Sequence, residues 1–146
     1  MSLRLIITAP LLVALILLAE PGRGDPRTYL EVSPDGREDL IALMSTLEGQ
    51  LDRGLPMTDP VVVILHGSEA TSFTSTGYNS NRMLVDQAAR LSAYRLIDVR
   101  MCETWMQENE VTPTDLPAFV KTVRYAPEEI ERLEADGYVP LGDLRI

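Results

Sequence analysis

The side chain with the most chemistry to offer is Cys102, the single cysteine of this 146-residue chain. The apolar run Arg95–Met101 before it predicts a strand, and Glu103–Glu108 after it predicts a short helix. A thiol at a strand-to-helix switch lies near unpaired backbone N–H groups and the positive end of the helix dipole. Both favour the thiolate, which is the reactive form. One cysteine cannot form an intrachain disulfide, so the alternative role is that of a small buried hydrophobe. His66, the single histidine, closes the run Val61–Leu65. An imidazole beside Cys102 would take up the thiol proton, whereas a histidine bonded only to backbone would be structural. Arg100 precedes Cys102 by two residues, so in a regular strand the two share a face. There Arg100 either steadies a thiolate or persulfide or lies solvated at the surface.

Other chemistries find less support. One Cys and one His do not make a zinc site, and the carboxylates lack ligand spacing. No glycine-rich strand-to-helix motif with lysine is present, so phosphate cradling is not indicated, nor is any cofactor. Twelve of the 13 basic residues are Arg, leaving Lys121 alone for Schiff-base chemistry. The net charge of −9 repels phosphate backbones and argues against nucleic-acid partners. Met101, Trp105 and Met106 flank the cysteine as a soft wall for sulfur or as core packing. Asp115, Glu128 and Glu129 read as turn and helix-end residues.

These residues must be positioned by elements that the pattern also predicts. Leu5–Ala19 is an apolar stretch after a weakly positive start, closed by Glu20-Pro21-Gly22-Arg23-Gly24. That is the form of a secretory signal, predicting a signal segment 1–24 and a domain 25–146, in the periplasm or secreted. Contact with a membrane is expected only if the segment stays uncleaved. Losing Arg4, Arg23 and Glu20 from 13 basic and 22 acidic residues leaves 11 against 21, a net charge of −10. Beyond the signal, Thr28–Val32 predicts a strand and Ser33-Pro34-Asp35-Gly36 a turn. Arg37–Arg53 predicts a helix ended by Gly54. Val61–Leu65 reads as a strand covered on both faces, which implies a parallel sheet. Ser68–Tyr78 reads as a loop, and Asn81–Ala93 as a helix capped by Asn79 or Ser80. After the segment around Cys102, Phe119–Arg124 predicts a strand and Pro127–Asp136 a helix stopped by Gly137. Tyr138–Leu141 predicts a last strand or tail. The alternation implies an α/β fold: a three-layer open sheet, mainly parallel, with a flavodoxin-like order of elements. Ligands of such sheets bind at the carboxyl ends of strands, where His66 and Cys102 both fall.

Cys102, Thr104-Trp105, Asn109, Val111-Thr112, Asp115-Leu116 and Glu134–Tyr138 together resemble the DsrE/DsrF-like sulfur-relay family. Val61–Gly67 adds to the likeness, which spans roughly Asp59 to Leu141. The resemblance implies a small α/β domain that assembles as a trimer or hexamer. It also implies a persulfide carried on Cys102, given and taken by partner proteins that it does not name. Relay of this kind is typically cytoplasmic, whereas export is expected of this chain. The expected function is therefore a sulfur carrier or thiol-redox protein, sulfurtransferase-like if it is an enzyme. The alternative is a non-catalytic oligomeric binding module of the same fold. A Cys102–His66 hydrolase ranks last for want of an orienting acid.

Overall fold

The computed structural model describes residues 26–32, 36–55 and 59–143. The predicted signal segment 1–24 and residues 33–35 of the predicted turn lie outside the described residues. Five strands form one sheet: β1 (Thr28–Val32), β2 (Val61–Leu65), β3 (Ile97–Cys102), β4 (Lys121–Val123) and β5 (Val139–Pro140). The order is β4-β3-β2-β1-β5, and every neighbouring pair is parallel. Four helices alternate with them: α1 (Arg37–Asp52), α2 (Tyr78–Ala93), α3 (Glu103–Glu108) and α4 (Ala126–Ala135). The α/β class and open parallel sheet are those expected from the alternation of patterns.

The layers follow from the two-residue period of the strands. Tyr29 on β1 donates its hydroxyl to Glu134 on α4, and Arg100 on β3 donates to Glu129 on α4. The register aligns Tyr29 with Val62 and Asp98, and Glu31 with Ile64 and Arg100, so these residues face α4. Leu30 borders Asp39, Ala42 and Leu43 of α1 and so points to the other side of the sheet. There α1 packs against α2, burying Leu40, Leu43, Met44 and Leu47 on one helix and Leu84, Val85, Ala88 and Leu91 on the other. Central β2 is covered on both faces, each of its five residues at most 3% exposed. That explains the unbroken apolar run Val61–Leu65, which has no solvent side on which a polar residue would be tolerated.

Three element boundaries differ from the sequence pattern. Ser68–Phe73 forms a 3₁₀ helix rather than an open loop, because Ala70 and Phe73 insert into the core. Phe73 meets Phe119 edge-to-face at 6.4 Å. Helix α2 starts at Tyr78, with Gly77 in the capping position, so Asn79 and Ser80 sit in its first turn and cap nothing. It is interrupted at Asn81 (φ −127°, ψ 19°), whose side-chain amide donates to the Gly77 carbonyl at 2.8 Å. Asparagine competes in this way for backbone partners, which is why the regular pattern reads only from Asn81 onward. Strand β4 is three residues long rather than six, because the Val120 N–H turns back to the Pro117 carbonyl at 2.9 Å.

Candidate functional site

Cys102 ends β3 and flanks the first turn of α3 with an extended backbone (φ −71°, ψ 122°), at the predicted strand-to-helix switch. It is a free thiol. A switch of this kind leads to the expectation of a partly accessible sulfur, and here the structure corrects that reading: the residue is 3% exposed and belongs to the core. Met101, Trp105 and Met106 are buried with it, so the soft wall around the sulfur is core packing as well.

His66 follows the last residue of β2. Leu65 pairs in register with Met101, so extending the register by one residue sets His66 beside Cys102. Adjacent strands lie about 5 Å apart, and both side chains follow residues that face α4, Ile64 and Arg100. No hydrogen bond joins His66 to Cys102 among the described residues. The imidazole instead reaches across to β1, where its Nε2 lies 3.0 Å from Glu31 Oε1. In the tautomer that donates Nε2–H to the Glu31 carboxylate, Nδ1 is the acceptor nitrogen of the ring. His66 is one-quarter exposed and Glu31 about half, so the pair is wetted while the thiol is not.

Two residues of this rim escaped the sequence reading. Glu31 was hidden because only the strand order makes β1 the neighbour of β2. Its one local signal is that it alternates with Tyr29 on the same face. Glu69 is buried at 4% exposure, and its Oε1 accepts from the backbone N–H groups of His66 (3.1 Å) and Gly67 (2.9 Å). It thereby fixes the turn that carries His66, and its spacing of three from His66 is the local signal. Its second oxygen, Oε2, is buried with no partner among the described residues.

Arg100 shares the face of Cys102, as expected, but is not free to steady sulfur. Its Nε and Nη2 donate to Asp98 at 3.1 and 2.6 Å, and its Nη1 donates to Glu129. Lys121 also meets Asp98, at 2.8 Å, and Arg132 meets Glu129. Burial pushes the Asp98 carboxyl up, but its bonds to Lys121 and Arg100 outweigh that and hold it below its ordinary value. Burial likewise raises Glu129, and Arg132 and Arg100 more than reverse it. For Arg100 burial favours the neutral form, and the same two carboxylates hold its pKa above the ordinary arginine value. Glu129 is therefore an ion-pair partner as well as a helix-start residue. Asp115 is a turn residue as read from the sequence: it closes a capping box with Thr112, whose hydroxyl and N–H hold its carboxyl below the usual range.

Among the described residues no group of three or more His, Cys, Asp or Glu side chains could hold a metal ion. Nor is any described helix long and apolar enough to cross a membrane.

No family model matches the chain, and no curated protein resembles it in sequence. Among solved structures it is similar to MTH1491 of Methanobacterium thermoautotrophicum, a protein of unknown function. The two share 14% identity over 80% of this chain and 99% of that one, with a TM-score of 0.61. At that identity the likeness concerns the fold alone: a five-stranded parallel α/β sheet.

Proposed function

We propose that this protein is a sulfur carrier or thiol-redox protein that loads sulfur on Cys102. The observation supporting the reading is the row Glu31–His66–Cys102 along the carboxyl end of the sheet, in which a carboxylate orients the imidazole next in register to the thiol. In the loading step the Cys102 proton passes to His66 Nδ1. The thiolate then attacks the outer sulfur of a donor persulfide. The donor's S–S bond breaks, a new bond forms at Cys102 Sγ, and the donor leaves as its thiolate. Atoms and charge balance without a cofactor.

The buried sulfur must be uncovered before it reacts, so transfer is expected to be gated by local opening. Mass spectrometry after exposure to glutathione persulfide tests the proposal. The native protein should gain one sulfur atom at Cys102, and Cys102→Ser should gain none. His66→Gln should slow uptake about 100-fold, the scale of a lost proton acceptor, and Glu31→Gln, which loses only the group that orients the ring, should slow it less. A thiol that takes up no sulfur, and is alkylated only when the protein is unfolded in urea, would overturn it. The burial of Cys102 favours a second reading in that event, a non-catalytic binding module.

We also infer that residues 1–24 direct export to the periplasm or beyond and are then removed. Sequencing of the exported product should start at Asp25. A soluble product that retains Met1 would overturn the inference.

A further inference from the structure

We propose that the groove between the N-terminal halves of α1 and α2 binds a small organic acid, a carboxylate on a short apolar chain. The groove lies on the sheet face opposite α4, so this inference is independent of the chemistry proposed for Cys102. Its volume of about 600 Å³ falls within the range of small-molecule sites. Among the described residues ten line it and none is Asp or Glu; the carboxylates that adjoin it are Asp86, 3.4 Å from Arg82, and Glu48, which accepts from Gln87 at 2.6 Å. Two guanidinium groups stand on its walls, Arg37 from α1 and Arg82 from α2.

Arg37 Nη1 donates to Ser72 Oγ at 3.1 Å, and Ser72 is buried, so this side chain is anchored at one corner. Arg82 contacts Asp86 at 3.4 Å, with both side chains more than half exposed. Exposed pairs of this kind contribute little, so a ligand carboxylate can replace Asp86 as the partner of Arg82. Arginine presents the fork that matches a carboxylate. The rest of the lining suits a short hydrocarbon chain. Ile41 is 42% exposed and Met83 is 89% exposed, an unusual degree for an unbranched apolar side chain. Methionine adapts its shape to what it meets. The overall negative field disfavours anions in general, so an anion is expected to bind only where guanidinium groups line a cavity, as Arg37 and Arg82 line this one.

The experiment follows backbone amide NMR shifts of the full chain at low salt during titration with hexanoate, acetate or hexylammonium. Hexanoate should give saturable shifts confined to residues 37–45 and 79–87, acetate should bind about tenfold more weakly, and hexylammonium should not saturate. Arg37→Gln and Arg82→Gln alter exposed side chains, so both variants should fold. Each should weaken hexanoate binding about tenfold, as expected for one lost charge-assisted pair. Absence of saturation, equal binding of hexylammonium, or unchanged affinity in both folded variants would overturn the proposal.

Discussion

Arg100 is the residue on which most of the α4 face depends. Its side chain is 15% exposed, and those of Asp98 and Glu129 are 13% and 12% exposed. Removing one partner of such a group leaves charge buried without compensation, at a cost of about 3–5 kcal/mol. Lys121 and Arg132 remain on the two carboxylates, which places Arg100→Ala near the lower end, at about 3 kcal/mol. The acid limb of stability has a defined sign. Asp98 and Glu129 are held below their ordinary values of 3.8 and 4.5, so the unfolded chain takes up their protons first as pH falls. Their contribution is complete above about pH 4.5 and is lost as pH drops through the lower folded values. In Arg100→Ala the folded values move up toward the unfolded ones, so the acid-labile contribution shrinks and its loss is complete at a higher pH. Urea midpoints measured between neutral and acid pH test both statements, and an Arg100→Ala profile that overlays the native one would refute them.

The junction between the 3₁₀ segment Ser68–Phe73 and α2 depends on the absence of a side chain. A Cβ at Gly77 would stand 1.9 Å from the Thr71 carbonyl oxygen and 3.2 Å from Ser72 Cα. These neighbours are backbone atoms beside buried Ser72 and Phe73, so neither wall can swing aside. Its φ of −83° is ordinary, which makes the constraint one of space rather than of backbone conformation. Gly77→Ala should lower stability by about 1–3 kcal/mol, the usual cost of overpacking, and should move the N-terminal turn of α2. The groove between α1 and α2 would change shape with it. A urea midpoint equal to the native one would show that the junction relaxes freely.

The whole molecule has acidic surfaces, no disulfide and two short edge strands, β4 of three residues and β5 of two. Short edges resist the addition of foreign strands. Self-association as a trimer or larger, the assembly that the family resemblance implies, would therefore use side-chain surfaces rather than a continued sheet. Light scattering at micromolar concentration should give at least three times the chain mass, and a monomer at that concentration would remove the proposal.

The sequence alone determined the α/β class, the covering of β2 on both faces and the switch at Cys102. Each rests on a local rule: the period of apolar residues, the unbroken run Val61–Leu65, or the meeting of strand and helix patterns. It also determined that His66 and Cys102 fall at strand ends of the same polarity, which follows from parallel strands. Contact across strands lay beyond it. Glu31 reaches His66, and Arg100 is taken by Asp98 and Glu129, because the order β4-β3-β2-β1-β5 makes neighbours of residues tens of positions apart. The burial of Cys102 was decided the same way. A strand end lies at the rim by its local pattern, but here the packing of β3, α3 and their neighbours closes over the sulfur, and no rule of spacing records how far that packing extends.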